Sequence, residues 1–192
     1  MTEPREDRCY VVLKRAMDIV GALLGLFFLS FLFLPIAIAI KLNSQGPIFF
    51  VQTRVGRGGR LFSMYKFRTM YLDSPALGKV PLDEDTRVTT VGRFLRRMGL
   101  DEMPQFINVL KGEMSLVGPR PELPELFAAY APWQRRRIEV LPGVTGWWQV
   151  NGRKQPMIDY IHYDIYYVEN RSLALDLKIL LMTIPALMRS EA

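Results

Sequence analysis

Cysteine and histidine are almost missing from this 192-residue chain: Cys9 and His162 are the only ones. A single cysteine excludes an internal disulfide and leaves the redox compartment open, a reducing one fitting. Zinc sites built from cysteine and histidine are excluded by count. A nucleophile–histidine pair would have to run through His162, which stands in the amphipathic stretch "IDYIHYDIYY" and reads as a surface or packing residue. Acid is lacking locally as well. Residues 41–70 carry Lys41, Arg54, Arg57, Arg60, Lys66 and Arg68 and no aspartate or glutamate, in a chain with 25 basic and 19 acidic residues and a net charge of +6. Such a patch suits phosphates, nucleic acid or acidic lipid headgroups. Chemistry in this chain therefore rests on carboxylates, lysine and arginine, or a bound hard cation.

Charge is absent altogether from Ile19 to Ile40, "IVGALLGLFFLSFLFLPIAIAI". As a straight helix this run would measure about 33 Å, enough for a hydrocarbon core of about 30 Å. It is long for a signal peptide and shows no small-residue cleavage site. The chain length allows one domain, or a domain plus such an anchor. Two details complicate a simple span. Pro35 removes a backbone hydrogen bond and crowds the preceding turn. Bases flank both ends, Lys14 and Arg15 before and Lys41 with the 54–68 cluster after, and the positive-inside rule asks for a cytoplasmic position at each. A helix that breaks at Pro35 and returns to its own face satisfies both, with Ser30 within reach of the freed backbone. Spanning and re-entrant forms both stay open on physics alone.

Residues 47–70, "PIFFVQTRVGRGGRLFSMYKFRTM", predict a β-hairpin, because two β-rich runs flank the turn-forming "GRGG". A phosphate-cradling loop is the sharper alternative, but no GxxxxGKS or GxxxxGKT pattern is present. Period two places Lys66 and Arg68 on one face of the second strand, a pair suited to an anion. Residues 71–86, with their prolines, glycine and four acids, read as a surface loop. "VGRFLRRMGL" predicts a short basic helix. "EMPQFINVLKG" predicts another, with Phe106, Val109 and Leu110 on one face and Gly112 as its stop. "VGPRPELPELFAAYAPWQRRRIEV" begins as a proline-bracketed loop around Arg120 and continues helically. "LPGVTGWWQVNGR" reads as a loop whose tryptophans suit the lipid interface or the core equally. After Pro156 a helical stripe of Ile158, Ile161, Ile165 and Val168 is expected, with Asp164 and Tyr167 facing elsewhere. Ser172 then caps a last helix, apolar enough to lie against a membrane or the core.

"LDEMPQF" sets two carboxylates, Asp101 and Glu102, side by side at the predicted start of a helix, with Pro104 in its first turn. There the macrodipole favours an ionised aspartate and free N–H groups can hold phosphate oxygens. Arg96 and Arg97 lie one to two turns upstream. Arg120 is presented by "GPRP", whose prolines stiffen a guanidinium fork suited to phosphate. A carboxylate pair beside arginines can hold Mg²⁺ together with substrate phosphates. A carboxylate can also attack phosphorus, with arginines and Mg²⁺ carrying the developing charge. The same residues equally form an N-cap at Asp101 with salt-bridged arginines, and the cap is the plainer of the two readings.

Taken in order, "KRAMDIVGALL…P", "GPIFFVQTRVGRGGRLFSMYKFRTM", "VGRFLRRMGLDEMPQFINVLKGEMSLVGPRPEL", "PGVTGWWQVNGR" and "YDIYYVENRSLALDLKIL" resemble the bacterial sugar transferases that load polyprenyl phosphate, the monotopic phosphoglycosyl transferases. The resemblance runs from about Lys14 to about Met188. It implies a two-step exchange. Asp101 matches the family's nucleophile, which attacks the β-phosphorus of a UDP-sugar and expels UMP; polyprenyl (undecaprenyl) phosphate then attacks the phospho-sugar enzyme. This would be the first membrane step of glycoconjugate assembly, whether O-antigen, capsule, exopolysaccharide or glycoprotein. Glu102 matches the second acid, expected to assist with Mg²⁺ or proton handling, so both acids are expected metal ligands. Arg96 and Arg120 match phosphate-binding arginines, and Lys66 and Arg68 lie in the family's basic strand, where phosphate or substrate binding is expected.

The implied fold is α+β and mostly helical. It comprises an N-terminal tail (1–13), a re-entrant membrane helix broken at Pro35 (14–41) and a catalytic domain (42–192) with a β-hairpin and amphipathic interfacial helices. The implied place is the cytoplasmic face of the bacterial inner membrane. The implied partners are a UDP-sugar, polyprenyl phosphate and the bilayer, with no nucleic acid and room for a homodimer. Two departures stand out: Leu34-Pro35 where relatives often carry Ser-Pro, and Met98-Gly99 where relatives commonly carry a small hydroxyl pair. The competing reading is a membrane-anchored module that binds anionic lipid or nucleic acid through 41–70 without catalysis, and it needs neither Asp101 nor Glu102.

Overall fold

The computed structural model describes residues 8–72, 74, 84–151 and 161–189. Most of the expected 71–86 loop, and Ile158 of the expected helical stripe, lie outside these residues. Helix α1 runs from Arg8 to Asn43, beyond the expected 14–41 at both ends, and remains helical through Pro35. It is the one described helix long and apolar enough to cross a membrane. Ser30 does not serve the carbonyl that Pro35 leaves free, which by the i→i−4 pattern belongs to Phe31. Its hydroxyl instead donates to the carbonyl of Phe27 at 2.6 Å.

One stripe of α1 faces the rest of the protein. Asp18, Ala22, Leu29, Ile36 and Ile40 recur at helical spacing and are buried. Gly25 lies under the ring of Phe106, and Phe33 stacks against Phe49. The opposite face, with Leu23, Phe27, Phe31, Leu34 and Ile38, is apolar and exposed. Both ends of the apolar run are held by the same body. Lys14 Nζ donates to the carbonyl of Val117 (3.1 Å) and to Asp176 (3.0 Å), and Arg15 donates to the carbonyls of Val109 and Leu110. At the far end Asn43 Oδ1 accepts from the Val91 N–H at 3.0 Å.

The predicted hairpin forms from β1 (Phe49–Val55) and β2 (Leu61–Phe67), antiparallel, in a register that pairs Phe49 with Phe67 and Val55 with Leu61. Its turn places Gly58 and Gly59 at positive φ, where glycine carries no steric penalty. Helix α2 (Thr90–Arg97) is capped by the Thr89 hydroxyl, which accepts from the Gly92 N–H. Helix α3 (Gln105–Lys111) stops at Gly112 in the left-handed conformation, as expected.

In the segment read as one loop, "LPGVTGWWQVNGR", residues 141–151 are more ordered than their composition indicates. Strand β3 (Ser115–Val117) leads through α4 (Pro124–Ala128) and α5 (Pro132–Arg135) to β4 (Gly143–Thr145), which pairs with β3 in parallel. Strands of three residues are too short to show a period. The approach depends on glycine: a Cβ on Gly143 would fall 2.1 Å from the Gly118 nitrogen. Helix α6 (Trp147–Asn151) follows, with Trp148 buried and Trp147 stacked on Tyr166 beneath Lys178, so both tryptophans belong to the protein interior and its edge.

Helices α7 (Ile161–Asn170) and α8 (Leu173–Arg189) close the chain, and the Ser172 hydroxyl accepts from the Leu175 N–H as the expected cap. The buried residues of α7 are Ile161, Asp164, Tyr167 and Val168, so Asp164 and Tyr167 turn inward against expectation. Each polar tip has a buried partner: Asp164 takes the Arg137 guanidinium, and the Tyr167 hydroxyl donates to Asp176 and lies within bonding distance of the Val117 carbonyl. His162 is exposed, its ring against Tyr163. Apolar packing falls into two clusters. One joins Ala22 to Met64, Val109, Met114, Val117 and Ile179; the other joins Leu29, Ile36 and Ile40 to Phe67 and Leu95.

Candidate active site

Asp101 and Glu102 do not open a helix. They occupy a separate 3-10 turn, Leu100–Glu102, and α3 starts only after Pro104, so the expected cap at Asp101 is absent. The turn is entered through Gly99 at φ +67°, where a Cβ would also lie 2.9 Å from Leu187. Gly99 thus answers a backbone requirement.

Three elements deliver cations to this turn. Lys66 from β2 places Nζ 2.7 Å from Glu102 Oε1, and Arg120 from the loop after β3 reaches the same oxygen at 3.0 Å. Arg96 from α2 donates through Nε to the Thr69 hydroxyl at 2.9 Å and borders the same cavity as the carboxylates. Glu102 Oε1 therefore carries both ion pairs, and among the described residues none bonds Oε2, which is left for other ligands. Asp101 is buried, yet among the described residues no hydrogen bond reaches its carboxylate. It lines a cavity of about 1130 Å³ shared with Lys66, Arg96, Arg120, Arg54 and Arg87. Phe106, Leu116, Trp148 and Leu180 add apolar walls.

The convergence has local causes. Asn108, fully buried in α3, donates to the Ser63 carbonyl (2.8 Å) and accepts from the Tyr65 N–H (3.2 Å), which docks α3 on β2 one residue from Lys66. On the other side the Thr69 carbonyl accepts from the Thr89 N–H at 3.0 Å, and α2 comes so close that a Cβ on Gly92 would lie 2.1 Å from it.

Lys66 and Arg68, expected as a pair, divide. Arg68 is buried and donates to the carbonyls of Ser44, Gln45 and Pro47 and to the Ser44 hydroxyl, at 2.6–2.9 Å. It closes the turn that leaves α1. Strand β2 ends at Phe67, so the period-two argument that paired them stops one residue short of Arg68.

The two acids are electrostatically unlike. Burial, and next the neighbouring Glu102 anion, push the Asp101 carboxyl up to about 6, against the pull of Lys66, Arg96 and Arg120. Burial would raise Glu102 as well, but Arg120 and Lys66 more than offset it and hold Glu102 well below the usual carboxylate range. Burial lowers the Lys66 ammonium, opposed by Glu102. Glu102 is thus a fixed anion in a cationic clamp, and Asp101 is an unbonded carboxylate whose charge changes near neutral pH. A strongly perturbed acid in a large, partly apolar cavity is the pattern of a reactive group.

A family model of the bacterial sugar transferases matches residues 9–190. The chain belongs to the bacterial sugar transferase family. Among similar proteins is the sugar transferase EpsL of Bacillus subtilis (strain 168), 42% identical over 182 residues that make up 94% of this chain and 90% of the relative. A UDP-N-acetylgalactosamine-undecaprenyl-phosphate N-acetylgalactosaminephosphotransferase of Aeromonas hydrophila is 45% identical over 183 residues, 91% of this chain but 43% of the relative. The UDP-glucose:undecaprenyl-phosphate glucose-1-phosphate transferase of Escherichia coli (strain K12) is 42% identical over 183 residues, 90% of this chain and 39% of the relative. The chain spans about two-fifths of those two larger relatives.

Within this family member, the residues singled out from sequence fall into two groups. Asp101, Glu102, Lys66, Arg96 and Arg120 come together around one cavity, whereas the Arg68 guanidinium is engaged by the 44–47 turn at its border. Sequence reasoning missed Asn108, although a polar residue inside the "FINVL" apolar stripe is a recognisable signal. It also missed Arg87, which lines the cavity while gripping Asp85 through two 2.7 Å bonds.

Proposed function

We propose that this protein transfers a sugar-1-phosphate from a UDP-sugar to membrane polyprenyl phosphate. The observation that carries the reading is the unbonded, buried Asp101 beside a Glu102 already neutralised by Lys66 and Arg120, in a chain of the bacterial sugar transferase family. The relatives from Aeromonas hydrophila and Escherichia coli are named for the substrate classes, a UDP-sugar and undecaprenyl phosphate.

In the first step an Asp101 carboxylate oxygen forms a bond to the β-phosphorus as the bond to the bridging oxygen breaks, and UMP leaves with that oxygen. Asp101 is suited to attack because, among the described residues, no hydrogen bond ties up its lone pairs. Arg120, Lys66 and Arg96 stabilise the charge on the phosphoryl oxygens. In the second step a phosphate oxygen of the lipid attacks the same phosphorus and releases Asp101, leaving the sugar on a diphosphate. Mg²⁺ fits this site: Asp101 and the free Oε2 of Glu102 would hold it, and two carboxylates with substrate phosphates are its usual donor set. When bound it would supply positive charge to the diphosphate.

The exposed apolar face of α1 would enter the bilayer, and the attachment of both its ends to one body favours re-entry over a span. With re-entry the site would stand on one membrane face, which we take to be the cytoplasmic face of the bacterial inner membrane. Exposed Leu177, Leu181 and Ile184 on α8 would rest at the interface.

The purified protein, given a UDP-sugar and Mg²⁺ but no lipid, should release at most one UMP per chain and gain a phospho-sugar mass on Asp101. An Asp101→Asn protein that still forms the adduct and turns over would overturn the assignment. Adduct masses across several UDP-sugars would identify the donor.

A further inference from the structure

Arg120 stands between two prolines, Pro119 and Pro121. Each proline fixes its own φ, and Pro121 restricts Arg120 to extended backbone. With the backbone stiffened on both sides, a bond to the Arg120 carbonyl fixes the peptide plane on the C-terminal side of the Arg120 Cα, from which the side chain springs. One group holds that plane by its oxygen. Arg137 Nη2 donates to the Arg120 carbonyl at 2.7 Å. Arg137 is buried at 3% exposure, in a turn (Arg136–Glu139) whose neighbouring Arg136 is exposed and pairs with Glu139 and Glu169.

The same guanidinium is fixed on its other sides. Nη1 donates to Glu122 Oε2 at 3.1 Å and to the Tyr130 hydroxyl at 3.2 Å, while that hydroxyl donates to Glu122 at 2.6 Å. Nη2 also donates to Asp164 of α7. One turn further along α7, the Tyr167 hydroxyl lies 3.1 Å from the Val117 carbonyl. Two inward polar residues of α7 therefore reach the two ends of the segment 117–120, one directly and one through Arg137.

We propose that Arg137, held by Asp164 and Glu122, is a positioning residue that orients Arg120 toward Glu102 and the transferring phosphate. It touches no reacting group; it acts through the Arg120 carbonyl. The inference rests on the proposed phosphoglycosyl transfer, in which Arg120 binds the donor phosphate. A plain structural role is the alternative, because removing Arg137 outright would take the ion-pair partner from buried Asp164 and leave Glu122 only the 4.0 Å contact with Arg54. The informative change is therefore Arg137→Lys. It keeps a positive charge beside Glu122 and Asp164, but a single ammonium cannot reproduce the fork that reaches both carboxylates and the Arg120 carbonyl.

The test is a double-mutant cycle on the single-turnover release of UMP, using the full chain, a UDP-sugar and Mg²⁺ without lipid acceptor. Arg137→Lys should leave the burst amplitude per folded chain unchanged, slow the burst about 10-fold and raise the donor concentration for half-maximal rate. In an Arg120→Ala background the same change should cost less than about 3-fold, because the group it orients is gone. Losses that multiply across the cycle, or a reduced amplitude at unchanged rate, would overturn the proposal and leave Arg137 a stability residue. No burst from the unmodified chain would mark failure of the functional reading itself, and the inference falls with it.

Discussion

Replacing Asp101 by asparagine should stabilise the fold while abolishing transfer. The carboxyl is raised from 3.8 to about 6, first by burial and then by Glu102. A group whose folded value is raised contributes most below its unfolded value, and that contribution is lost as pH rises through about 6. Above that pH the wild type holds a disfavoured anion. About two pH units at about 1.4 kcal/mol each give roughly 3 kcal/mol. Asparagine is nearly isosteric and forfeits no hydrogen bond with the described residues, because none of them reaches the Asp101 carboxylate. For a domain of this size each kcal/mol moves the midpoint by about 2–4 °C, so Asp101→Asn should melt about 6–12 °C higher at pH 8. The gain should shrink steadily between pH 6 and pH 4. Tryptophan fluorescence during heating in detergent micelles measures it. No gain at pH 8, or the same gain at pH 4.5 and pH 8, would refute the claim that Asp101 is a destabilised anion. The same ionisation should give UMP release an acid limb, the rate climbing with pH because only the anion attacks phosphorus, and a higher Mg²⁺ concentration should move that limb to lower pH.

Glu102→Gln should act in the opposite sense. It removes the anion shared by Lys66 and Arg120, whose side chains are 14% and 27% exposed, and should cost about 2–4 kcal/mol in denaturant unfolding; a gain in stability would contradict the division between the two acids. Gly92→Ala forces a methyl group onto the Thr69 carbonyl and should cost about 1–3 kcal/mol. Because Thr69 anchors Arg96, that variant should also bind UDP several-fold more weakly by calorimetry; unchanged stability and binding would show that α2 is free to shift. Arg68→Lys should destabilise by about 2–4 kcal/mol through lost bonds to the 44–47 turn, with the donor KM of the folded protein within about 3-fold. A 10-fold KM rise at unchanged stability would assign Arg68 to the substrate instead.

Elements that announce themselves by period or punctuation were legible in the sequence. The hairpin, the short basic helix, the Gly112 stop and the Ser172 cap all follow from local residue chemistry, and the structure has each. Side-chain direction was not legible. Nothing local distinguishes Arg68, whose guanidinium meets four acceptors in the turn after α1, from Lys66 two residues earlier, which meets Glu102. Asp164 and Tyr167 read as an outward polar face because their partners, Arg137 and Asp176, arrive from other parts of the chain. Strands β3 and β4 escaped because three residues carry no period and because their pairing rests on a glycine contact between positions 118 and 143.

The carboxylate pair shows the same limit most sharply. As adjacent letters Asp101 and Glu102 are interchangeable carriers of charge, and helix electrostatics alone favoured a cap. The distinction between them comes from three chain segments that meet only in the fold: β2 with Lys66, α2 with Arg96, and the proline-bracketed loop with Arg120. Two of the three cations bond Glu102 on a single oxygen, and none bonds Asp101. A carboxylate in a cationic clamp stays ionised well below the usual carboxylate range, which suits a fixed electrostatic partner. A buried neighbour without hydrogen bonds keeps its lone pairs available, which suits a nucleophile. The roles therefore follow from which acid the cations reach, and exchanging the two residues, Asp101→Glu with Glu102→Asp, should not exchange the roles: the longer acid at 101 would lack the clamp, and the shorter one at 102 would stretch it. That double variant should lose UMP release while retaining a cooperative melt, and a variant with near wild-type release would mean that the clamp does not choose between them.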